Sequence, residues 1–203
     1  MNLNFDTDDI IVLDDIIDTV DSNKIHELFL NTEFPWYFMQ STVTQKTNEL
    51  VSDENTYDSP QLVSLMYADY EPISKHWQLC NLDFLSHEVS RRLGYKLFYK
   101  RVKANLLLNN NNTSNQHLPA HVDNESQDHL VMIYFVNTTD SPTTIFKNTS
   151  KPWMIETQIE SKQGRIVIFS GKKYHAGMNP IKSPYRILIN FNITHMEKIY
   201  ENQ

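Results

Sequence analysis

Hydrophobic and polar residues follow two different rhythms along this chain, and the change falls near residue 95. Before it the pattern is mixed. Ile10 to Leu13 is a short apolar run that predicts a strand. Asp21 and Ser22 offer capping oxygens ahead of Ile25, Leu28 and Phe29, whose helical spacing predicts a helix. A strand is expected around Trp36 to Met39, and the polar residues 42 to 59 predict an exposed loop. Leu85, Val89 and Leu93 recur every four residues, so a helix is expected over Asn81 to Leu93, with Gly94 able to end it.

From residue 95 onward, short strand-like segments alternate with turn residues. Leu97 to Leu108 reads as one long strand, followed by His129 to Asn137, Thr143 to Phe146, Gly164 to Ser170 and Tyr185 to Asn192. Asn109 to Asn115 holds only Asn, Thr and Ser, and with Gln116 it predicts a mobile loop. The succession predicts a mainly β fold with flanking helices, a sandwich or barrel. A single domain over 1–203 is expected, with a mixed helical cap and supporting strands over 1–94 and the β core over 95–193.

Composition narrows the function classes. A chain of 203 residues, 40% hydrophobic, can bury one sizeable core. It has no apolar run near the roughly 18 to 20 residues that span a bilayer. Met1 to Asp6 lacks a secretion leader, which predicts a cytoplasmic location. The net charge of −7 gives no general attraction to phosphate backbones, so a nucleic-acid partner is disfavoured. Lys96, Lys100, Arg101 and Lys103 are interleaved with apolar residues and read as a strand with one wet face. The lone Cys80 has no cysteine to pair with in the chain and reads as a buried apolar residue.

The chemistry centres on His121-Val122-Asp123. Residues at i and i+2 on an extended backbone point the same way, so the imidazole and carboxylate can share one ligand. A third imidazole, His175, would complete two histidines and one carboxylate on one face of a metal, leaving the opposite face open. The spacing of the pair alone is common. The surrounding order is more informative: Ile133-Tyr134-Phe135-Val136-Asn137, Thr144-Ile145-Phe146, Gly164-Arg165-Ile166-Val167-Ile168-Phe169, His175-Ala176-Gly177, then Arg186.

This series resembles the Fe(II)/2-oxoglutarate-dependent dioxygenases, particularly the prolyl 4-hydroxylase-like branch, over roughly residues 95 to 193. Within that branch the chain, including Phe34-Pro35-Trp36-Tyr37, is similar to short hydroxylase-like proteins of marine tailed bacteriophages, which would put it in a host cytoplasm. The resemblance implies a double-stranded β-helix, a jelly-roll, cupin-like barrel with iron in its mouth. It implies Fe(II), 2-oxoglutarate and O2 as cofactor and cosubstrates, with His121, Asp123 and His175 as metal ligands. Arg186, eleven residues after His175, matches the residue that pairs with the distal carboxylate of 2-oxoglutarate, and a planar guanidinium suits that task.

The chain departs from the family in two places. Ser141-Pro142-Thr143-Thr144-Ile145-Phe146 replaces a Gly-Gly-x-Thr-x-Phe pattern, and Phe135 stands where many relatives have a carboxylate-binding Tyr. Tyr134 or Thr144 is then expected to supply the hydroxyl, and Asn190, on the strand face of Arg186, is a further cosubstrate candidate. Lys103 and Asn105 are candidates for cosubstrate or substrate contact. Trp36 and Tyr37 are weighed between pocket and core, and His117 is read as a loop residue. Asp123 favours hydroxylation over halogenation, since halogenating relatives leave that ligand position free. The implied reaction is hydroxylation of an unactivated C–H bond on a prolyl or other peptidyl side chain. A free amino acid or other small molecule is the alternative substrate, nucleic-acid demethylation a third reading, and a non-catalytic jelly-roll binding module the rival class.

Overall fold

The computed structural model describes residues 8–43, 49, 51–54, 56–110, 116–123 and 128–199. Of the expected polar loops, residues 44–48, 50, 55 and 111–115 lie outside the described residues.

The amino-terminal part contains β1 (Ile11–Leu13), α1 (Thr19–Leu30), β2 (Tyr37–Met39), β3 (Gln61–Ala68), β4 (Glu71–Pro72), α2 (His76–Leu79) and α3 (Leu82–Leu93). Then come β5 (Tyr95–Leu108), β6 (Leu130–Phe135), β7 (Thr143–Phe146), β8 (Ile155–Ile159), β9 (Ile166–Ser170), β10 (His175–Ala176) and β11 (Tyr185–Lys198). The expected strands and both expected helices form. The cap of α1 differs from expectation: Asp18 is the N-cap and accepts from the Asp21 N–H, so Asp21 sits inside the first turn. At the end of α3, Gly94 takes the left-handed conformation at φ 75° and donates its N–H to Ser90.

Eight strands form one antiparallel sheet in the order β1-β9-β6-β11-β5-β3-β2, with β4 paired to β3. A second sheet runs β10-β7-β8, and a backbone bridge from His121 to His175 extends it by one position. The two hydrogen-bonded sheets stay separate, so the expected barrel is two facing sheets rather than a closed cylinder. Strands of the 1–94 segment join the large sheet directly, since β1 pairs β9 and β3 pairs β5.

Strand alternation divides the large sheet into two working faces. Ile187, Ile189, Phe191 and Ile193 of β11 share the outer core with Val102 and Ala104 of β5, with Ile25 and Phe29 of α1, and with Leu85 and Val89 of α3. Trp36 joins this cluster, donating its indole N–H to the Phe29 carbonyl. Between the sheets lie Val131, Ile133, Phe135, Ile145, Val167, Phe169 and Leu188.

A β-bulge shapes the site. Along β11, Asn192 pairs with Arg101 but Ile193 pairs with Tyr99, so Lys100 is the extra residue of β5. Alternation flips there. Tyr99 and Val102 both face the outer core, and Arg101, Lys103, Asn105 and Leu107 share the face toward the second sheet. The basic stretch therefore reaches inward over part of its length, against the expectation of a simple wet face. Cys80 is fully buried, and burial pushes its thiol up to about 12, in keeping with a structural role.

Candidate active site

The space between the sheets opens into a cavity. His121, Asp123 and His175 line it together with Arg186, Asn190, Lys103, Asn105 and Thr143.

The two histidines are brought together by backbone pairing. The His121 N–H donates to the His175 carbonyl and the His175 N–H to that of His121, each at 3.0 Å. This cross-strand pair sets their rings 4.7 Å apart between centroids. Asp123 follows at a bend rather than on a regular strand. One donor atom from each of His121, Asp123 and His175 falls within 4.8 Å of the others.

Each ring is oriented by a carbonyl. His121 Nδ1 lies 3.0 Å from the Pro119 oxygen and His175 Nδ1 3.3 Å from that of Lys173. A carbonyl only accepts, so Nδ1 carries the proton in both and Nε2 offers its lone pair to the cluster. Burial, then the neighbouring His121, lowers His175 to about 4, so it is neutral at neutral pH.

Asp123 is held as an anion from three sides. Arg101 donates to Oδ1 at 2.9 Å, while Asn190 and Asn192 donate to Oδ2 at 2.8 and 3.2 Å. Burial works against its charge, but His175, Arg101, His121 and the Asn190 amide together hold the carboxyl well below the usual carboxylate range. Two imidazoles whose Nε2 atoms face the cluster and one buried carboxylate are a donor set suited to Fe(II).

Arg186 lies at the start of β11 and is 2% exposed. Its Nε donates to Ser161 Oγ at 3.1 Å and its Nη2 to Thr143 Oγ1 at 2.6 Å, with the Phe135 ring 5.6 Å away. Among the described residues no carboxylate pairs with it. Burial lowers its pKa to about 10, which still leaves it charged at neutral pH. A Cβ on Gly177 would lie 3.0 Å from Nη1, so glycine there gives the guanidinium room.

Other candidates sort clearly. Asn190 reaches the cavity, but its amide serves Asp123. Tyr134 does not reach it: alternation turns its ring to the outer core, where its hydroxyl lies 3.4 Å from Ser22 Oγ under α1. Thr144 likewise faces away and accepts from Gln158. The hydroxyls on Arg186 come instead from Thr143 and Ser161. Asn105 donates to Gln61 at 2.7 Å at the cavity wall. His117 meets the Phe146 ring edge-on outside the donor cluster, and Tyr37 is exposed on β2. Sequence reasoning missed Arg101, Asn192, Thr143 and Ser161 as site residues, because their approach depends on the bulge and on strand pairings far apart in the chain.

No family model matches the chain, and no curated protein matches it. Solved structures do. An oxidoreductase of the 2OG-Fe(II) oxygenase family from Burkholderia pseudomallei superposes with a TM-score of 0.62 at 14% identity, covering 92% of this chain and 85% of that one. A prolyl hydroxylase from Trichoplax adhaerens, in complex with a hypoxia inducible factor oxygen degradation domain peptide fragment, gives 0.60 at 12% identity over 94% and 86%. The non-heme alpha ketoglutarate dependent epimerase SnoN from nogalamycin biosynthesis gives 0.60 at 8% identity over 91% and 78%. The chain has the double-stranded β-helix fold of these oxygenases.

Proposed function

We propose that this chain is an Fe(II)- and 2-oxoglutarate-dependent oxygenase that hydroxylates an unactivated C–H bond, with its described segments forming one catalytic domain. One observation carries the reading: a His-Asp-His donor cluster shares a single cavity with a buried arginine that has no acidic partner among the described residues. A buried cation without a counter-charge is costly, and an anionic ligand offsets that cost. The shared fold supports the same reading by analogy.

His121 and His175 would hold Fe(II) through Nε2, and Asp123 through its carboxylate. When bound, the iron supplies oxidative chemistry in which O2 and 2-oxoglutarate are consumed, succinate and CO2 released, and a substrate C–H bond converted to an alcohol. Arg186 would grip the distal carboxylate of 2-oxoglutarate, steadied by Thr143 and Ser161. Asn190, Asn192 and Arg101 keep Asp123 ionised and fix its direction. The apolar walls from Ile133 and Leu188 limit water around the reacting groups.

A prolyl or other peptidyl side chain is the substrate class favoured by the sequence resemblance. A small-molecule substrate is the second reading, supported by the fold shared with SnoN. The link to bacteriophage proteins, and with it a host cytoplasm, rests on the sequence resemblance alone. Among the described residues no helix is long and apolar enough to cross a membrane.

The deciding experiment is an anaerobic titration of the apoprotein with Fe(II) and 2-oxoglutarate, following the visible charge-transfer band of the chelate. A band in wild type, absent in His175→Ala and weakened in Arg186→Ala, is the expected outcome. A folded, iron-loaded protein without the band would leave a binding module as the better description.

A further inference from the structure

The cavity holds a second cation whose task the distal carboxylate of the cosubstrate does not explain. Arg186 is bonded to Thr143 and Ser161, and Arg101 to Asp123. Lys103 lines the same cavity yet makes no hydrogen bond or ion pair among the described residues. Burial and the neighbouring Arg101 both disfavour its charge, Asp123 being the group that supports it. A hydrophobic residue would fill this position at less cost.

Strand register locates the amine. Lys103 pairs with Asn190 on one side and with Leu65 on the other. Asn190 holds Asp123, so Lys103 flanks the metal donors on the side toward β3. Arg186 pairs with Leu107, four residues away along β5 and so about 13 Å at the rise of an extended strand. Asn190 is likewise four residues from Arg186 on β11, so Lys103 shares the row of the metal donors, and a distal carboxylate held by Arg186 is anchored a strand's length from that row. Beyond Lys103 the same sheet face continues outward through Leu65, 41% exposed, to Tyr37, 63% exposed and paired with Val63.

We infer that Lys103 binds an anionic oxygen group, a carboxylate or a phosphate, on the primary substrate, whose apolar body lies over Leu65 and Tyr37. This rests on the oxygenase reading above. An ammonium is a compact charge with three donors and suits either anion, and here it sits at the junction between the metal donors and an apolar shelf.

The test uses the Zn(II)-loaded protein with 2-oxoglutarate bound, and acetate, inorganic phosphate and acetamide as probes. NMR follows the lysine side chains and the backbone amides of β3 and β5. Saturable shifts at Lys103 and Leu65 are expected with acetate or phosphate and not with acetamide. Lys103→Met, which keeps the apolar stem, should weaken anion binding about tenfold or more, Lys103→Arg should retain it, and 2-oxoglutarate affinity should stay at the wild-type value in both. A response to acetate alone assigns a carboxylate, and to phosphate alone a phosphate ester. Absence of saturable shifts with either anion overturns the inference, as does an equal response to acetamide. Weakened 2-oxoglutarate binding in Lys103→Met also overturns it, by giving Lys103 to the cosubstrate. Should wild type fail to bind 2-oxoglutarate, the oxygenase reading falls, and the same titration on the protein without it still decides the Lys103 site.

Discussion

The two faces of β11 occupy one strand and are equally buried, yet they are built on different physics. Ile187, Ile189, Phe191 and Ile193 meet helices and other strands through non-directional apolar contact. Arg186, Asn190 and Asn192, one residue out of phase, are just as inaccessible and depend on directed bonds to Thr143, Ser161 and Asp123. The first face supplies stability and tolerates substitutions that conserve volume. The second adds little to stability, because burying polar groups costs about what their bonds return. A protein retains such a face for what it binds.

The polar face should fail most sharply when its shared acceptor, Asp123, is removed. Asp123→Ala should lose iron affinity by more than the ~100-fold upper range for deleting an outer partner of a metal ligand, with loss of succinate formation. Metal titration and turnover check it, and unchanged turnover would remove Asp123 from the site. On the opposite face, Phe191→Ala should destabilise the fold by about 3 to 5 kcal/mol, read as a lowered urea midpoint. Its iron affinity below the unfolding transition should match wild type. If both quantities fell together, the two faces would not be separable.

Arg186→Met gives a smaller and more diagnostic effect. Removing one partner of a buried charge-assisted contact should weaken 2-oxoglutarate binding about 100-fold, roughly 2.7 kcal/mol. Stability should hold or rise, because an apolar side chain replaces a buried cation that has no acidic partner among the described residues. A stability loss approaching that of Phe191→Ala would make Arg186 a structural strut instead.

What was legible in the sequence follows the same division. Thr143 to Phe146 was read to the residue, and β9 and β11 were found from their apolar runs, because burial leaves a local imprint. His121, Asp123 and His175 come together because two of them lie at a short spacing and the third sits on a facing backbone bridge. β3 was missed where the bulge near Met66 breaks its alternation, and β8 because its residues alternate weakly and lie partly exposed. β11 runs on to Lys198, past the predicted Asn192, through residues with little apolar signal. The Lys100 bulge reverses which side Arg101 and Lys103 face, and nothing in the local pattern announces it. Tyr134 carries the hydroxyl that the site calls for, but alternation from the adjacent Phe135 places it on the helix side.

The smallest effect concerns how β11 enters the sheet so that both faces fall in register. Asp140 accepts from the backbone N–H groups of Ile181, Lys182 and Ser183, the loop that leads into Tyr185. Burial opposes its charge, but the Ser183, Lys182 and Ile181 donors win and hold the carboxyl near 2. The folded value lies below the unfolded one of about 3.9. Its contribution is therefore present above about pH 4 and lost as pH falls through 2. Asp140→Asn keeps an acceptor and removes the charge, and Asp140 is partly exposed, so the loss at neutral pH should be about 1 kcal/mol. Urea midpoints should differ between wild type and variant at pH 7 and converge toward pH 2. A difference that stays constant over this range would mean that the loop is held by shape and not by the carboxylate. The offset between the faces of β11 would then be set within the sheet itself, at the Lys100 bulge.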